Sequence, residues 1–127
     1  MNPKVHVSWG ELIDKITILE IKVERLSGDT ARANAKRELA ELRTATAPQD
    51  GNAALAALKA ELKHVNEALW QIEDDIREHE ARKSFGATFV ELARAVYHRN
   101  DERGRIKAKI NALLKSDIVE EKQYSPY

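Results

Sequence analysis

The sequence predicts an all-α protein, an antiparallel four-helix bundle. Three observations carry this reading. Apolar residues recur at steps of three and four along four separate stretches, with no two-residue alternation of the kind a half-buried strand requires. The chain has only 5 glycines and 3 prolines, and they fall mainly between those stretches. Two of the stretches open on a Ser/Thr-x-x-Glu sequence, the signature of a helix start.

The first helix is expected over about 9–27. Ser8 and Glu11 form the capping box, with Val7 and Leu12 as a hydrophobic staple. Trp9, Leu12, Ile13, Ile16, Leu19, Val23 and Leu26 make its apolar stripe, and Gly28 reads as its C-terminal stop. Asp29 or Thr30 can cap a second helix over about 30–46. Its apolar face is thin (Ala35, Leu39, Leu42), which places it on the outside of the bundle or against a partner. Pro48, Asp50, Gly51 and Asn52 make the next loop. A third helix over about 53–81 carries Leu55, Leu58, Leu62, Val65, Leu69, Ile72 and Ile76 in unbroken steps of three and four, a coiled-coil-like seam. After a turn at Lys83–Gly86, Thr88 and Glu91 form the second capping box. The fourth helix is expected over about 89–114, with Phe89, Leu92, Val96, Ile106, Ile110 and Leu113 on its apolar face. From about 117 the tail has no helical period. The length of 127 residues fits one domain over 1–127. Short loops place successive helices side by side and antiparallel.

Composition excludes several chemistries. There is no cysteine, which removes disulfides, thiolate nucleophiles and Cys-based zinc sites. Lys plus Arg and Asp plus Glu are 21 each, and a neutral total argues against a dedicated nucleic-acid binder. Neither a leader-like apolar stretch at the start nor a run long enough to span a bilayer is present. The expected location is the cytoplasm. His6, His64, His79 and His98 are scattered, and no His-x-x-x-His or H-E-x-x-H spacing occurs, so no metal and no cofactor are expected. No phosphate-binding glycine loop or nucleophile elbow is found.

Polar residues on helical stripes mark where a site can lie. Glu20 falls on the apolar stripe of the first helix, and Asn100 and Arg103 interrupt that of the fourth. Folding the helices along one axis brings the three to about one level. They can form a buried pair, Glu20 with Arg103, that sets helix register, or a site with Glu20 as the acid–base candidate. Beside the seam of the third helix runs a second stripe that includes Lys63, Asn66, Trp70 and Glu73. It is either a boundary tryptophan under long polar neighbours or a platform for a ring or sugar. Charge is uneven: Arg99–Lys109 holds five basic and two acidic residues, and Glu73–Glu80 holds five acidic and one basic. The basic end suits an anion or the acidic end of a neighbouring protomer.

Several segments are distinctive: SWGELIDKITILEIK at 8–22, VNEALWQIED at 65–74, LARAVYHRND at 92–101, IKAKIN at 106–111 and EEKQYSPY at 120–127. Together they resemble a family of short bacterial proteins catalogued as a domain of unknown function. The resemblance spans nearly the whole chain and implies a complete unit, but brings no activity with it. The first helix is also loosely similar to the opening helix of helical chorismate mutases. The early arginine of that pattern is missing here, and the later catalytic helices do not match. Glu11-x-x-Asp14 and Glu38-x-x-Glu41 are similar to the magnesium-binding pairs of all-helical nucleoside triphosphate pyrophosphohydrolases, but in reversed order.

The function expected is therefore non-enzymatic: a self-associating interaction module, a homodimer that presents a helical face or its tyrosine tail to a protein partner. The alternative is a small enzyme or binding protein for an anionic metabolite, a phosphorylated sugar or nucleotide. Lys63, Asn100 and Arg103 would hold the anion, Trp70, flanked by Asn66 and Glu73, would stack on the ring, and Glu20 would move the proton.

Overall fold

A computed structural model describes residues 1–127. It contains four helices and no strand: α1 Trp9–Arg25, α2 Asp29–Thr46, α3 Ala53–Ala81 and α4 Ala87–Leu113, with a short 3-10 turn at Ala47–Gln49. No helix is long and apolar enough to cross a membrane.

Helix α1 starts where its capping signal lies. The Ser8 hydroxyl accepts from the Glu11 amide at 3.1 Å. The reciprocal arm of the box is not made, because the Glu11 carboxylate goes to Lys107 on α4. Val7, the outer half of the expected staple, stays exposed. Three other boundaries differ from expectation. Helix α1 ends at Arg25, since Leu26 is already extended, and Gly28 serves as N-cap of α2 instead of stopping α1. Helix α4 begins at Ala87 with Gly86 as N-cap, so Thr88 lies inside the helix and caps nothing. The reason is the tight end of α3. Ser84 N–H donates to His79 O and Lys83 N–H to Glu80 O, a Schellman motif that delivers the chain straight into α4.

Helix α1 is the hub, packing against α2, α3 and α4. Ile13, Ile16 and Leu19 of α1 meet Ala35 and Leu39 of α2, Leu55 and Leu62 of α3, and Ile110 of α4. The thin face of α2 is thus sufficient, because it packs chiefly on α1. Partners along α1 and α4 count in opposite directions: Gly10 with Asn111, Glu11 with Lys107, Asp14 with Arg103. At Gly10 the two backbones meet so closely that a Cβ would lie 2.6 Å from the Lys107 carbonyl oxygen.

The helices are unequal. Helix α1 has 17 residues against 29 in α3 and 27 in α4. At about 1.5 Å per residue, α3 and α4 outrun α1 by roughly 15 Å. The excess forms a two-helix arm, and no residue from 67 to 106 is buried. The seam on α3 is accordingly buried at Leu55, Leu62 and Val65 and only half-buried at Leu69, Ile72 and Ile76. Leu113, expected on the apolar face of α4, is exposed, while Asn111 and Leu114 on either side of it turn towards the core.

Candidate functional site

Two polar centres lie inside or along the bundle, and they are separate. The first is organised by Asp14. Gly10, Asp14, Thr17 and Ile21 form a second buried stripe on α1, beside the apolar one. Asp14 is 2% exposed, and it is surrounded by donors from two other helices. Arg103 Nε donates to Oδ1 at 2.9 Å and Nη2 to Oδ2 at 2.5 Å, a bidentate pair. Asn66 Nδ2 donates to Asp14 Oδ1 and to Thr17 Oγ1, each at 2.9 Å. The Lys107 ammonium, also buried, lies 4.0 Å from Asp14 and bridges Glu11 at 2.9 Å and Glu120 of the tail at 2.7 Å.

Electrostatics follow from this geometry. Burial alone would raise the Asp14 pKa. The hydrogen bonds from Arg103 and Asn66 and the charges of Arg103 and Lys107 outweigh it, so the carboxyl is held below its usual range. Arg103 is raised in turn, chiefly by its bond to Asp14. Burial opposes the charge on Lys107, but Glu120 and Glu11 raise it on balance.

The second centre is Glu20, which the polar-layer expectation placed with Asn100 and Arg103. It is not with them. Its side chain, 12% exposed, faces α2 and α3, with Lys59 at 2.9 Å, Arg43 at 3.0 Å and Lys63 at 3.8 Å. Glu20 and Asp14 point to different sides of α1 because six positions amount to about 600° at 3.6 residues per turn, which is not a whole number of turns. Burial raises the Glu20 pKa, yet Lys59 and Arg43 lower it further than burial lifts it. A carboxylate held ionised in this way is a weak proton acceptor near neutral pH. Lys63 is drawn off by Glu24 at 2.6 Å, which raises its pKa.

Five of the ligand-binding candidates do share one place. Asn66, Trp70 and Glu73 of α3 with Asn100 and Arg103 of α4 line a cleft of about 520 Å³, floored by Ile18, Ile21 and Leu69. Lys63 and Glu20 are not among its lining residues. The arm helices form two walls and the second stripe of α1 closes the floor. Asp14 and Thr17, which fix this cleft from beneath, are the residues the apolar periodicity passes over. The available signal was the helical spacing of Gly10, Asp14, Thr17 and Ile21, hidden by their mixed polarity. No group of three or more His, Asp or Glu side chains is placed to hold a metal ion.

The tail packs along α4. Beyond the Lys107–Glu120 bridge, the Tyr127 hydroxyl meets His98 and donates to Asp101, and its ring lies edge-on to Tyr97.

The fold and site define an all-helical bundle with a fully paired ionic interior and an open polar cleft at the root of a helical arm. The chain belongs to a family of unknown function, DUF6165, whose sequence profile matches residues 3–127. No curated protein and no solved structure matches it.

Proposed function

We propose that the protein is a non-enzymatic interaction module that dimerises through the α3–α4 arm. The observation that carries this reading is the arm itself. It continues the apolar seam through Ile72 and Ile76, yet buries no residue from 71 to 99. Two helices packed only on each other leave one side of such a seam open, and a further helix closes it. At the tip, Phe85 and Val90 are 52% and 51% exposed. A second copy suits the arm by charge. The arm carries the acidic stretch Glu73–Glu80 on α3 and the basic side chains Arg82, Lys83, Arg94 and Arg99 towards and along α4. A two-fold axis sets each stretch against the other copy's opposite one.

Sedimentation equilibrium at micromolar concentration tests this. A dimer is expected, weakened by salt, and converted to monomer by Phe85→Glu with Val90→Glu at an unchanged helical content by circular dichroism. A wild-type monomer overturns the proposal, and so does a dimer indifferent to both substitutions.

An anionic metabolite is the alternative partner, and it has less support. Lys63 and Arg103, the cations expected to hold it, are each tied to a carboxylate, Glu24 and Asp14.

A further inference from the structure

We propose that the cleft between α1, α3 and α4 binds a neutral saccharide, its ring on Trp70 and its hydroxyls on Asn66 Oδ1 and Arg103 Nη1. The orientation of Asn66 is forced. Its Nδ2 faces the Asp14 carboxylate and the Thr17 hydroxyl, and that hydroxyl already spends its proton on the Asp14 carbonyl at 2.7 Å. Both neighbours therefore accept, and the amide nitrogen must be the atom that meets them. The carbonyl oxygen Oδ1 is left facing the other way with no hydrogen bond, on a side chain only 5% exposed that lines the cleft. An acceptor open to the cleft in this fashion is available to a ligand's donor.

Arg103 supplies the complement. Its Nε and Nη2 are committed to Asp14, and Nη1 has only a long contact, 3.5 Å, to Asn100 Oδ1. Arg103 Nε and Asn66 Nδ2 are anchored on the same oxygen, Asp14 Oδ1, and both side chains line the cleft. Sugar hydroxyls both donate and accept, and suit the two groups.

The charge around the cleft disfavours an anion. Asp14 neutralises Arg103, and Arg77 is spent on Glu73 at 3.2 Å. Asp74, which also lines the cleft, is left over as a negative charge. The apolar floor and the Trp70 indole suit the C–H faces of a sugar ring. A volume near 520 Å³ is within the range of small-ligand sites, about 300–1,000 Å³.

The test is a ¹H–¹⁵N titration of the full chain with glucose, galactose, N-acetylglucosamine and methyl mannoside, beside glucose 6-phosphate and AMP. The Trp70 indole and the Asn66 and Asn100 side-chain amides are expected to shift saturably with at least one neutral sugar, while the Trp9 indole stays still. Trp70→Ala and Asn100→Ala, read separately, should each weaken that sugar by about tenfold or more (about 1.4 kcal/mol). Asn100→Ala keeps the test readable if Trp70→Ala unfolds. Silence of these resonances up to the solubility limit of all four sugars overturns the proposal. So do shifts that survive both substitutions, or a preference for the two phosphates.

Discussion

Removing the Arg103 guanidinium would strand the Asp14 carboxylate, which keeps only Asn66 and a distant Lys107 as partners. Breaking a buried pair in this way costs about 3–5 kcal/mol. Arg103→Ala should therefore lower the stability measured by urea denaturation by that amount. Asp14→Asn added to it should restore most of the loss, because the uncompensated charge is then gone. A similar loss in both variants would mean that Arg103 stabilises through packing and not charge. Glu20→Gln belongs to the other centre and is not expected to couple to either change. The sequence shows Arg103, Asn100, Asn66, Trp70 and Glu73 as candidates because each interrupts or flanks an apolar stripe. It hides Asp14 and Thr17, whose burial depends on α1 being covered on two sides, and periodicity along one helix reports a face without its depth.

At the scale of the helix, the ends were harder to read than the bodies. Both long helices close on a lysine in the left-handed region, Lys83 at φ 52° and Lys115 at φ 53°. Glycine is the usual occupant, so the strongest stop signal is absent where α3 and α4 stop. Where the apolar seam is unbroken, as in α3, the expected 53–81 and the observed Ala53–Ala81 coincide. The two glycines inside helices should respond oppositely to alanine. At Gly10 the new methyl meets the backbone carbonyl of Lys107, which cannot yield, and a loss of roughly 1–3 kcal/mol is expected. At Gly104 the nearest atom is the Lys122 ammonium at 3.6 Å, an ordinary contact. Gly104→Ala should gain up to about 1 kcal/mol from helix propensity. Thermal melts of the two variants check both signs.

Across the whole molecule the ion pairs define a working pH window. The folded pKa values of Asp14, Glu20 and Glu120 are lowered, so their stabilisation is full above the unfolded carboxylate range. It is lost as pH falls below about 4, through the depressed folded values. Lys63 and Lys107 are raised, so their contribution is full below the unfolded lysine value, near about pH 10.4, and is lost as pH rises beyond it. A melting temperature flat between those limits and falling outside both is expected. A decline already near pH 6 would show that another group governs. The fold class was legible because four periodic stretches separated by breakers admit few other arrangements. The projecting arm was not, since its existence depends on the difference in length between α1 and the helices it covers.

The hub position of α1 also has a consequence in time. Its first amides are satisfied from far downstream: Trp9 N–H by the Ser116 hydroxyl and Gly10 N–H by Asn111 Oδ1, 107 and 101 residues later. Asp14 waits for Arg103, 89 residues later. A ribosome releases α1 first, yet the groups that complete it emerge last. The α3–α4 hairpin, whose contacts are nearer in sequence, is positioned to form ahead of it. The helix at the centre of the fold is thus completed only once α4 has been synthesised.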